Sequence, residues 1–502
     1  MAWLGDFLRF WWGLLYWNGR KTYFRLRRDR VPCPCQNPSD SGRGGDTGCD
    51  AAHAWHRPEG FRRICPLMAM MPDGPRCTVN TRDVRPFWGR AFAYAAGGAL
   101  AAYAAAVIAA FVFLRVVGYP ISPVAVAWPP RWHEFREARS VYFAAKAQRA
   151  LATNRVNEAI LSLDLAFRDN PRNYNAGLRL AQLTSLAQPD FADHVFARLM
   201  HDHPAQRPVT AQAWLRSLLV HGHLARAAEL ATGQVADDPA ERPAWLHALF
   251  FATRHTGDDQ PLLELVARQP SPLQPIDTAL INSELVIRRG RGLSLLPGLT
   301  TELPPEAGTY GPHYQVSRLL AIGRPAEALA MLDRYAAAKR LPPADDFTLR
   351  LDIFGALGRN DLLCARLDEG GINARELELV SAHLVRHPDA AVLAALARSV
   401  ERARLPPDPQ TSAAYTAFYM ACGVAGDWDR AKAAAGMLKE ASGSRMASLD
   451  AVQAFLRAGE TPVRVERILP MLPTLPLDMI YALYDRYHQP AVGVSVRVGS
   501  PP

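Results

Sequence analysis

The sequence predicts an all-α chain, a helix–turn–helix repeat solenoid preceded by one transmembrane helix and a small Cys-rich segment. Three observations predict it. From residue 138 onward a unit of about 34 residues recurs. Residues 91–114 carry no charge at all. Five of the seven cysteines fall before residue 78, in a stretch rich in Pro and Gly and without periodicity. The predicted layout is a basic amphipathic membrane-interface segment (1–30), a cytoplasmic Cys/His-rich segment (31–90), the transmembrane helix (91–117), a linker (118–137), the repeats (138–489) and a disordered tail (490–502).

The clearest unit is YFAAKAQRALATNRVNEAILSLDLAFRDNP, residues 142–171. It reads as a helix, a turn at Thr153-Asn154, a second helix and a Pro stop. Turns followed by a second helix recur from Gly222, Gly323 and Gly426, and more weakly from Gly257, Gly358 and Gly459. A small residue five positions into the clear units gives Ala159, Ala192, Ala227, Ala328 and Ala431, with gaps of 33, 35, 101 and 103. The last two gaps are each close to three periods. Pro171, Pro204 and Pro239 repeat the first two gaps. Alanine lets the two helices approach closely, and proline ends the second because it lacks an amide hydrogen. Residues 270–310 and 370–410 hold the period loosely.

This pattern resembles the tetratricopeptide repeat family, through Ala147, Ala159, Leu163, Ala166 and Pro171 in the first unit. Phe143 stands for the family's early aromatic, which later units do not keep. The resemblance implies about nine or ten stacked units, with a groove lined by the first helix of each. It also implies a protein or peptide partner in that groove. The amphipathic stretch LDMIYALYDRYHQ is expected to cap the stack.

A helix over residues 91–114 spans roughly 36 Å at ~1.5 Å per residue, enough for a ~30 Å hydrocarbon core. Trp88 precedes it, and Tyr119 and Trp128 follow. Arg76, Arg82, Arg85 and Arg90 flank its amino-terminal side, with Arg20, Lys21, Arg25, Arg27, Arg28 and Arg30 behind them. Residues 1–90 hold 15 Lys+Arg less 8 Asp+Glu, a net +7 of the chain's +9. Positive-inside therefore places residues 1–90 in the cytoplasm and the repeats outside it. The expected location is the inner (plasma) membrane, single-pass, with a periplasmic solenoid if the chain is bacterial. The start, MAWLGDFLRFWWGLLYW, is interrupted by Asp6 and Arg9 and suits a helix in the membrane interface. The basic cluster at 20–30 fits anionic lipid.

In a reducing cytoplasm thiols favour metal over disulfide. Cys33, Cys35, Cys49, Cys65, Cys77, His53 and His56 are the candidate ligands, four of which would close a tetrahedral zinc site. No other cofactor is expected. No catalytic motif is present, so an enzyme is not expected. His201/His203 and His221/His223 read as turn residues, and Cys364 and Cys422 as small buried side chains. The expected function is a membrane-anchored scaffold for protein–protein interaction in assembly of an envelope, secretion or polysaccharide system. The alternative is a transmembrane sensor or regulator whose cytoplasmic Cys/His segment binds metal. Nucleic acid belongs only to that alternative.

Overall fold

The computed structural model describes residues 68–72, 74–77, 88–268, 273–303, 310–442, 448–458, 465–472 and 474–488, with scattered helical positions between Leu8 and Leu26. It falls into two compact units, Met1–Tyr142 and Phe143–Pro502.

In the first unit a two-stranded antiparallel hairpin, β1 (Met68–Met71) and β2 (Gly74–Cys77), pairs Met68 with Cys77. No secondary structure is expected of this segment from its sequence, which has no periodicity. Helix α1 (Trp88–Val117) follows. Its span Phe92–Val117 is long and apolar enough to cross a membrane, with mean hydropathy 2.3 and no buried residue in its most apolar window. The start of the chain lies along it. Trp88 Nε1 donates to Thr22 Oγ1 at 2.7 Å, and the Trp11 ring rests against Gly98. As the number rises from 11 to 22 the partner falls from 98 to 88, so the two segments run antiparallel. The expected linker is largely helical: α2 (Pro123–Ala127), capped by Ser122, precedes α3 (His133–Ala152), which starts before residue 138. Tyr119 packs on Tyr142 at 4.8 Å between centroids.

The second unit is a multi-helix array. After α3 come α4 (Val156–Asp169), α5 (Tyr174–Thr184), α6 (Pro189–Asp202), α7 (Arg207–Val220), α8 (Leu224–Asp237), α9 (Arg242–Thr256) and α10 (Gln260–Ala267). Next are α11 (Pro275–Arg288), α12 (Leu296–Leu299), α13 (Tyr310–Ala321), α14 (Pro325–Ala337), α15 (Pro343–Leu357) and α16 (Asn360–Glu369). The last are α17 (Ala374–Arg386), α18 (Ala390–Ala403), α19 (Ser412–Val424), α20 (Trp428–Ser442), α21 (Ser448–Ala458) and α22 (Leu477–Tyr487). From α3 to α20 they form nine consecutive pairs among the described residues. The first helices of neighbouring pairs pack together (α5 on α7, α11 on α13, α13 on α15, α15 on α17), and so do second helices (α8 on α10, α16 on α18). Two layers result.

Local sequence explains the pairs. Asn154, Gly222, Gly257, Gly323, Gly358 and Gly426 all turn the chain at φ between 57° and 76°. That left-handed conformation costs glycine nothing and asparagine little. The repeat alanines Ala159, Ala192, Ala227, Ala328 and Ala431 are all buried. At Gly177 the helices approach closely: a Cβ there would stand 2.7 Å from Phe167 and 2.9 Å from Leu199. In the loose region 270–310 the second helix shrinks to α12, while 370–410 forms a full pair, α17 and α18.

Helix α22 corrects the expected cap. A capping helix keeps one polar face in water. Instead Met479, Ile480, Tyr481, Ala482, Leu483 and Tyr484 are all buried, and they join the main core that begins at Ala211. The tail from residue 490 lies outside the described residues.

Candidate functional site

The predicted groove face, made by the first helices, is partly filled by the chain itself. Helix α22 packs on α7 and α17. It also meets α9, where Tyr481 sits 4.3 Å from Phe251 and 5.2 Å from His247, centroid to centroid. Tyr484 Oη donates to the Leu219 carbonyl of α7 at 2.7 Å. Its charges reach both sides. Asp485 lies 3.2 Å from His255 Nε2 on α9 and accepts from Arg386 Nε on α17 at 2.9 Å. Asp478 pairs with Arg375 at 2.7 Å. Just before it, Glu466 is 3.1 Å from His488 and presses on Gly222, where a Cβ would stand 2.5 Å from its Cγ.

Beside α22 the same face carries a buried charge cluster. Glu284 of α11 is 1% exposed and accepts two hydrogen bonds from Arg254, at 2.6 and 2.8 Å, with Arg288 at 3.1 Å and Arg318 also bonded. Burial alone would raise its pKa. The guanidiniums of Arg254, Arg318 and Arg288 outweigh burial and hold it at about 2. Arg288 is in turn bonded to Asp259 at 2.6 Å. His247 is open to water by area, yet desolvation pulls its imidazole down to about 4, helped by Arg254 and His313. Around it stand Arg254, His313, Asp478 and Arg386.

Toward the amino-terminal pairs the face is open. A recess of about 440 Å³ lies among α3, α5, α6 and α7, with Leu469 as its carboxy-terminal wall. Leu151, Leu183, Leu186, Ala213 and Val220 line it, and Arg179 and Arg216 are its charged residues among those described. Arg216 donates to the Leu475 carbonyl, and burial lowers its pKa.

The metal candidates Cys33, Cys35, Cys49, Cys65, His53 and His56 lie outside the described residues. Cys77 ends β2, and nothing further is described of it. Among the described residues no group of three or more His, Cys, Asp or Glu is placed to hold a metal. His201 is exposed beside Asp202, and His203 contacts the Pro171 carbonyl at 3.1 Å. His221 and His223 stand 6.1 Å apart, centroid to centroid. Cys422 is fully buried and burial pushes its thiol up to about 12, while Cys364 is half-buried with its thiol also raised by burial. Neither is an activated nucleophile. Sequence reading missed the Glu284 cluster and the seat of α22. Comparison of the sequence with protein-family models and with curated proteins finds no match.

Proposed function

We propose that this chain is a membrane-anchored helical-repeat scaffold, tetratricopeptide-like in architecture, that binds a protein partner on the layer of first helices. The observation that carries this reading is α22 itself. It is held on that layer by apolar anchors along residues 479–484 and by an acid near its end, Asp485, paired to both sides. A face built to hold one helix has the chemistry to hold another. With α22 seated from α7 to α17, the stretch left for a partner is that of α3, α5 and α7. The apolar, solvent-exposed surface of α1 (Leu100, Ile108, Phe113 and Val116 among it) supports its assignment as the membrane anchor. Assembly of an envelope, secretion or polysaccharide system is the proposed setting.

A photo-cross-linking residue placed at Gln182, on the open stretch, tests the partner claim in cells. A discrete cross-linked product at Gln182, absent when the probe is moved to the exposed Glu401 on a second helix, is expected. Equal labelling at both positions, or none at either, contradicts it.

A further inference from the structure

Within the stretch left for a partner, the recess itself is lined in a way that suits a hydrocarbon better than a bare peptide backbone. Leu151, Leu183, Leu186, Phe196, Ala213, Val220 and Leu469 form its walls, and the neutral polar side chains among its described lining are Gln182, Ser185 and Ser217. Ser185 Oγ already donates to the Gln182 carbonyl at 2.7 Å. A peptide backbone brings an amide and a carbonyl per residue, each costly to bury without a partner. A hydrocarbon tail brings none. Its volume also falls in the range of small-molecule sites, ~300–1,000 Å³, which are lined by apolar groups with a few placed polar ones.

The charge is one-sided. Two guanidiniums face the recess, and no acidic side chain lines it among the described residues. Arg179 is exposed, and no carboxylate pairs with it among the described residues. Arg216 is a partly desolvated cation. Cations beside an apolar wall suit a ligand that is apolar along its length and anionic at one end.

We propose that this recess binds a single-chain amphiphile with a carboxylate head, a long-chain fatty acid in its simplest form. The tail lies against Leu151, Leu183 and Leu469, and the charge is met by Arg179 and Arg216. The site rests on its own lining and not on the identity of a protein partner. An occupied recess would give the regulator reading an extracytoplasmic input.

The test uses the full-length protein in lipid nanodiscs, with empty nanodiscs as the baseline. Octanoate, decanoate, laurate and dodecanol are titrated by calorimetry. Saturable binding of one laurate per chain is expected, with affinity rising about three- to fourfold per added CH₂ until the recess is full. Dodecanol should bind about tenfold or more weaker than laurate, a preference that Arg179→Gln reduces several-fold. Leu186 is 45% exposed at the mouth, so Leu186→Asp should leave the thermal unfolding curve in place and abolish laurate binding. Laurate binding that survives Leu186→Asp, or that shows no preference over dodecanol, overturns the proposal. So does the absence of any saturable signal above empty nanodiscs. The partner reading fails separately, by cross-linking, so the two failures are distinguishable.

Discussion

Tyr484 donates its phenolic hydrogen to the carbonyl of Leu219, 2.7 Å away across 265 positions of sequence. In an array whose contacts run mainly between neighbouring pairs, this bond closes a long loop. It ties the last helix to the third pair. Tyr484→Phe is expected to cost about 1 kcal/mol, the net worth of one buried hydrogen bond. Tyr484→Ala is expected to cost about 3–5 kcal/mol, because a large cavity is added. Urea unfolding of the full chain measures both through the transition midpoint. Near-zero values for both would mean that α22 is not seated on α7.

Glu284 is the carboxylate on which three guanidiniums converge. Glu284→Gln keeps the shape and removes the charge, leaving buried Arg318 without its carboxylate, while Arg288 keeps Asp259. A loss of about 3–5 kcal/mol is expected, as when one member of a buried ion pair is removed. Replacing exposed Asp368, whose partners Arg398 and Arg402 are on the surface, should leave the midpoint nearly unchanged in the same assay.

Acid should weaken the array before it reaches the carboxylate range. The His247 imidazole is lowered from 6.5 to about 4 in the folded chain. An unfolded chain takes up this proton near pH 6.5, and the folded chain resists until about pH 4. Stability is therefore intact above 6.5 and is lost as pH falls through that window. The shift corresponds to about 3 kcal/mol at ~1.36 kcal/mol per unit, which solvent access to the ring reduces to about 1 kcal/mol. The groups facing it are Arg254, His313, Asp478 and Arg386. His247→Gln should flatten the slope of unfolding free energy between pH 6.5 and 4. Glu284, held at about 2 against an ordinary 4.5, adds a second loss below pH 4.5.

Zinc on the cysteine segment is a prediction from compartment and ligand chemistry. Full-length protein purified under reducing conditions is expected to carry about one zinc per chain by elemental mass spectrometry. Serine at both Cys33 and Cys35 should remove it. Stoichiometric metal that survives those changes would place it elsewhere, and a metal-free preparation would dismiss the site.

Much of the array was legible because its signals are local. A left-handed turn residue, a small residue in the second helix and a stop proline each act within a few positions. They reappear in the structure at Asn154, Ala159 and Pro171. The seat of α22 is not local, since it depends on groups more than 200 residues away. One signal was present even so: MIYALY, residues 479–484, is apolar on every side, which suits a core helix and not a cap. The Glu284 cluster also left a trace. Glu284 and Arg318 are 34 positions apart. A separation of one period puts two residues at the same place on consecutive first helices, where opposite charges can meet. The recess could not be read in advance, because α3, α5, α6, α7 and Leu469 meet there only after the chain has folded back.

The membrane placement decides the compartment of every other feature. A reporter active only outside the cytoplasm, fused after residue 130 and separately at residue 85, tests it most directly. Activity after residue 130 with silence at residue 85 is the predicted result. The reverse pattern would contradict the account, moving the helical array into the cytoplasm and the cysteines into an oxidising compartment.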